Sequence, residues 1–416
     1  MRRPGRRMRT PTPAWWNEGL TSTSGGAVMT GRRSMRGMAA LAAGALVWGL
    51  AAGPAVADNI RDQQWALKVY DAPNKVWPIS QGDGVTVAVI DTGVNADHQD
   101  LTGQVLPGAD FSGEQTDGRV DMQGHGTAMA SLIASHGHGD NAGVMGLAPK
   151  AKILPIRLQL SEVGDVQASG GDRFAEALRY AVDHGAKVVS MSISGAMRTN
   201  PDDRAAVNYA LSRDVLLVAA SGNLGSTVEY PAAFPGVMAV GAVDKTGNIW
   251  EKSDQGPELS LVAPGVGITH AGYKSATDYG YSDGTSDATA YVSAIAALVR
   301  SKYPDLTAGQ VIRRLITTAV APSDGTAVPN DRYGYGIASP SKALAANPAV
   351  DGGPKDNPLL NRVESQGAPD SASPAPVPQV AAGGGGGVSV WLYVAGGVVL
   401  LLVVGGIVVL VRRVTA

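Results

Sequence analysis

The chain predicts an α/β fold, a mostly parallel sheet with helices on both faces. Three observations lead there. From about Ser80 to Ala346, short runs rich in β-branched residues alternate with alanine-rich runs of helical length, as strands joined by helical crossovers do. The β-rich runs are apolar throughout rather than alternating, the mark of strands buried on both sides. Asp91 and Ser221 stand directly after two of these runs, where open α/β sheets gather their functional groups.

In chain order, Gly37 to Gly53 is small and apolar, is preceded by Arg32, Arg33 and Arg36, and is followed by Ala55-Val56-Ala57. Residues 1–57 are therefore expected to carry a secretory signal peptide cut between Ala57 and Asp58. Met29 is an alternative start that suits those proportions. Residues 58–82, with Trp65, Tyr70 and Trp77, are expected to pack on the domain that follows. In that domain, 83–347, strands are expected at Val85–Ile90, Ile153–Leu158, Val188–Ile193, Val215–Ala220 and Val237–Val243. Helices are expected at Thr127–Ala134, Phe174–His184, Ala205–Leu211, Ser286–Ser301 and Ala308–Thr318. Residues 348–387, with repeated prolines from Pro354 to Pro378 and the run Gly383 to Gly387, read as a disordered tether. Residues 388–411 hold 24 residues without a charge, which at about 1.5 Å each cross a hydrocarbon core of roughly 30 Å. Arg412 and Arg413 then assign residues 412–416 to the cytoplasm. The expected arrangement is a single-pass cell-membrane protein with its domain outside and lipid around its last helix.

There is no cysteine, which excludes a thiol nucleophile and leaves stability to packing and ions. Between Asp58 and Val411 stand 24 basic and 35 acidic residues, a net charge of −11. Nucleic acid is excluded as a partner for such a surface. The 6 histidines are scattered, so no metal is placed and no cofactor is expected. A structural calcium is the one ion weighed, and the acidic patch Asp110, Glu114, Asp117 and Asp121 reads instead as solvated loop surface.

Four segments carry chemistry: Asp91-Thr92-Gly93, Gly124-His125-Gly126-Thr127, Ser221-Gly222-Asn223 and Gly284-Thr285-Ser286. They supply an acid, a base, an amide donor and a hydroxyl, the parts for cleaving a peptide bond through an acyl-enzyme. A serine hydroxyl is a weak nucleophile until a base takes its proton, and an imidazole needs an anion to hold its productive tautomer. Gly124 and Gly126 are expected to bend the chain around His125, and Gly284 to permit close approach before Ser286.

In order and glycine setting these segments resemble the subtilisin-like serine proteases, or subtilases, from Gly84 to about Ala346. The resemblance implies a subtilisin-like fold, Ser286 as nucleophile, His125 as general base, Asp91 as its orienting partner and Asn223 as oxyanion donor. It also implies a substrate cleft lined by Ser192, Ile193, Ser194 and Gly195, with Ala219, Ala220, Ser221 and Gly222 as the opposite wall. Two positions depart from many relatives: Asp287 replaces a hydrophobic residue and Ala290 a proline. Asp287 is expected to face solvent or another loop. Within the family, the signal, short extension, tether and single span most resemble the mycosins, membrane-anchored proteases of type VII secretion in actinobacteria. That resemblance implies exported protein or peptide substrates and the secretion membrane complex as partner. A general cell-surface subtilase, or a mainly structural stabiliser of the complex, stays open.

Overall fold

The computed structural model describes residues 59–160, 173–195 and 200–362. The expected signal peptide and membrane span lie outside the described residues. No helix among the described residues is long and apolar enough to cross a membrane.

The architecture is an α/β subtilisin-like fold. Seven strands form one parallel sheet: β1 Thr86–Asp91, β2 Ala109–Asp110, β3 Lys152–Arg157, β4 Val188–Met191, β5 Leu216–Ala220, β6 Met238–Val243 and β7 Leu259–Pro264, in the order β2-β3-β1-β4-β5-β6-β7. An antiparallel pair, β8 Ile268–Ala271 and β9 Tyr279–Ser282, stands apart. The helices are α1 Ile60–Gln63, α2 Trp65–Val69, α3 His125–Ala134, α4 Phe174–Asp183, α5 Pro201–Ser212, α6 Thr285–Lys302, α7 Ala308–Thr317, α8 Pro340–Leu344 and α9 Pro348–Asp351.

The apolar strands divide their side chains between two cores. Val87 and Val89 of β1 join α3 and α6 on one face, while Ala88 and Ile90 join α4 and α5 on the other. Helix α6 is buried from Thr285 to Arg300 and lies against β4, β5, β6 and β7. Its small residues Ala288, Ala290, Ala294, Ala296 and Ala297 are all fully buried, so the helix approaches the sheet closely. The chain leaves β1 toward β3 on one side and β4 on the other. A crevice opens at the carboxyl ends of strands at such a reversal, and Asp91 ends β1 there.

Two stretches differ from expectation. The strand β7 was not foreseen because Ser260 and Pro264 interrupt its short apolar run, and the pair β8–β9 because glycine, histidine and tyrosine stand among its residues. The tether expected from 348 does not begin there, and residues 363–387 lie outside the described residues. Residues 348–362 are folded: Leu359 is 1% exposed in the core, Gly236 N donates to Leu359 O at 3.0 Å, and Asn357 Nδ2 donates to Gly236 O at 2.8 Å. Proline-rich composition concealed one apolar anchor.

Residues 59–82 lie on the domain. Leu67, Tyr70 and Val76 are buried in the core of α3 and α6, and Tyr70 meets the Tyr291 ring edge-on at 6.0 Å. Trp77 Nε1 donates to Leu147 O at 3.0 Å, and Gln64 bonds both the amide and the carbonyl of Met145.

Candidate active site

Asp91 is fully buried at the end of β1, where its Oδ1 accepts the Thr92 amide at 2.8 Å. His125 opens α3 with its side chain 31% exposed, and its Nδ1 lies 2.8 Å from Asp91 Oδ1 and 3.0 Å from Oδ2. A carboxylate has no proton to give, so Nδ1 carries the hydrogen and the neutral ring keeps its lone pair on Nε2.

The turn before α3 is held by side chains instead of an ordinary N-cap. Thr92 Oγ1 accepts the Gly126 amide at 2.8 Å and donates to Asp121 Oδ1 at 2.9 Å. Asp121 further accepts from the amides of Gln123, Gly124 and Thr127 and from Thr127 Oγ1. The amides of Gly126 and Thr127, two orphan donors of the first turn, are thereby satisfied. Asp121 is thus a buried organiser of the His125 loop and not solvated surface, and Asp110 is likewise buried, accepting Ser112, Thr116 and Arg157. Glycine is required here sterically. Gly124 has φ +97° and a Cβ there would lie 2.4 Å from the Tyr273 ring; one on Gly126 would lie 2.1 Å from Gly93 O.

Ser286 is the second residue of α6 and 8% exposed. Its Oγ donates to Ser192 O at 3.1 Å, and Ser192 Oγ returns a bond to Ser286 O at 3.0 Å. The hydroxyl is therefore engaged by the 192 carbonyl and not by His125, a common looseness before substrate arrives. Gly284 is extended, with nothing nearer than 3.5 Å to a Cβ; the tight contact is at Gly265, where a Cβ would lie 2.5 Å from Gly284 O. Asn223 Oδ1 accepts both the amide and the hydroxyl of Thr285 at 2.9 Å, which orients the side chain and leaves its NH2 unspent among the described residues.

Thr92, His125, Ser192, Ile193, Ser194, Ala220, Asn223 and Ser286 line one cavity of about 750 Å³. Gly195, Ala219, Ser221 and Gly222 stand behind that lining. His270, Tyr273 and Asp287 also line it, and sequence reasoning missed the first two. The expectation for Asp287 is corrected. It is 1% exposed, faces the cavity, and accepts Ser282 Oγ at 2.6 Å. The helix turn carries its side chain inward because Ser282 offers it a bond. Burial pushes the Asp287 carboxyl up to about 7, against the pull of the Ser282 bond and the His125 charge. Burial disfavours the His125 imidazolium, but Asp91 in contact, then Asp287 and Asp121, overcome this and raise it to about 9. Among the described residues no three histidine or carboxylate side chains are grouped to hold a metal.

The subtilase family model matches residues 82–336. Thermitase from Thermoactinomyces vulgaris is 36% identical over 242 residues, 58% of this chain and 83% of its own. Subtilisin DY from Bacillus licheniformis is 38% identical over 249 residues, 58% of this chain and 85% of its own. Among solved structures, MycP1 from Mycobacterium smegmatis matches with TM-score 0.62 and 28% identity over 75% of this chain and 90% of its own. The MycP3 protease from the type VII (ESX-3) secretion system matches with TM-score 0.58 and 32% identity over 72% and 90%. A buried acid, a histidine and a serine at the mouth of a parallel sheet, on a chain matched over most of its folded length, lead to one conclusion: the chain belongs to the subtilase family and is a serine endopeptidase.

Proposed function

We propose that Asp91, His125 and Ser286 form the catalytic triad, with Asn223 as oxyanion donor, of a membrane-anchored endopeptidase that cleaves exported proteins beside a type VII secretion complex. The observation that carries the catalytic part is the Asp91–His125 contact at 2.8 Å facing Ser286 across one cavity.

Substrate entry frees the Ser286 hydroxyl from Ser192 O, and Oγ attacks the scissile carbonyl as its proton passes to His125 Nε2. Asp91 stabilises the imidazolium. The negative oxygen of the tetrahedral intermediate takes hydrogen bonds from the Asn223 NH2 and the Ser286 amide, which lies in the first turn of α6, where the helix dipole favours the charge. His125 then protonates the leaving amine, whose C–N bond breaks, and activates the water that releases the acyl group. The secretion context is supported by the likeness to MycP1 and MycP3, and the anchoring by the charge-free stretch 388–411.

Active-site labelling tests the catalytic reading. Full-length protein in detergent, treated with a fluorophosphonate probe, should carry the adduct on Ser286, and Ser286→Ala should carry none. A folded wild type without a Ser286 adduct would overturn it.

A further inference from the structure

Two carboxylates that the mechanism does not use lie against the wall of the cleft. Gly222 has φ +118°, and a Cβ there would fall 2.0 Å from Asp254 Oδ2 and 3.1 Å from Glu229 Oε2. Asp254 is fully buried. Its Oδ1 accepts the amides of Leu224 at 3.0 Å and Ser226 at 2.5 Å, while its Oδ2 is buried and has no hydrogen-bond partner among the described residues. Glu229 is half-buried.

The backbone explains their position. Glu229 N donates to Ser221 O at 2.9 Å, and Gly195 N donates to Tyr230 O at 3.1 Å. The Glu229–Tyr230 segment thus ties strand segment 219–222 to segment 192–195 and closes the gap between them. The segments on either side carry small residues at this level: Gly195, Ala219 and Gly222. A buried carboxylate oxygen without a donor, beside a second carboxylate, calls for a positive partner. Burial first, and Glu229 in addition, raise Asp254 to about 6 despite its backbone bonds, so it is largely ionised at neutral pH.

We propose that Glu229 and Asp254 form the acidic floor of the pocket that takes the side chain preceding the scissile bond, so that this protease cleaves after lysine or arginine. This rests on Ser286 as nucleophile and on segments 192–195 and 219–222 as the pocket walls. The apolar stem of the substrate residue lies between the walls and its cationic head meets the acids.

The test is kcat/KM of the full-length protein in detergent on peptides that differ only before the scissile bond, bearing Arg, Lys, Gln, Leu, Ala or Glu. Arg and Lys should exceed Gln and Leu by at least about tenfold. Glu229→Gln and Asp254→Asn should each collapse that ratio, and Glu229→Lys should favour Glu, while all three keep the wild-type fluorophosphonate labelling of Ser286. Equal or better cleavage after Leu or Ala, or a preference that survives Glu229→Gln, would overturn the proposal. So would a calcium-dependent rise in melting temperature that Glu229→Gln abolishes without any Arg or Lys preference, since the pair would then serve a metal. Absence of labelling in wild type would instead sink the assignment of Ser286, and the specificity with it.

Discussion

At the scale of single residues, Asp287 is the feature that sets this site apart. A second buried carboxylate beside the nucleophile adds to the field that Asp91 exerts on His125. As the proposed general base, His125 must be neutral to accept a proton, so an imidazole raised to about 9 predicts kcat/KM that keeps climbing through neutral pH and levels near 9. Asp287→Asn removes a negative charge, makes the imidazolium less favourable, and should move that rising limb to lower pH by up to about one unit. Below about 7, where Asp287 holds its own proton, the two profiles should converge. A pH–rate series on both proteins checks the sign. Identical profiles would mean that the two groups do not communicate. The identity of the residue at 287 was plain in the sequence, and its direction was not. Whether a side chain in the first turn of a helix points to solvent or inward depends on what stands opposite, here Ser282.

At the scale of elements, the segment after the catalytic body shows how composition misleads. Arg314 of α7 is 0% exposed, pairs with Asp351 of α9 at 2.5 Å, donates to Ala343 O and Ala345 O, and stacks 4.1 Å from the Tyr303 ring. It joins α7, α8 and α9 into one corner, which Leu359 seals. Arg314→Ala leaves a half-buried carboxylate and the Ala343 and Ala345 carbonyls without their donor, at a cost of about 2 kcal/mol. Leu359→Ala opens a cavity at about 2–4 kcal/mol. Urea denaturation of each variant measures this, and an unchanged midpoint for both would show the corner to be peripheral. The strands and long helices were legible because each has ten or more regular neighbours in pattern or a continuous apolar run. A pair of leucines beside prolines has no period to read.

At the scale of the whole molecule, the folded body accounts for the peptidase, and the proposed anchoring rests on the charge-free stretch 388–411. Removing residues 388–416 should release an enzyme that labels at Ser286 as wild type does but leaves the membrane fraction. Retention at the membrane would point to another attachment. Sequence alone determined the α/β class, the strands that hold the site and the four segments that furnish Asp91, His125, Asn223 and Ser286, because these depend on local periodicity and on residue types that few other chemistries need together. Tertiary structure decided the rest: the hold of Ser192 on the Ser286 hydroxyl, the role of Asp121 beneath the His125 loop, the inward turn of Asp287 and the meeting of Glu229 with Asp254 behind Gly222. Each of these joins residues distant in the chain, or depends on which of two faces a side chain takes. Only the packed fold supplies the neighbour that settles such a choice.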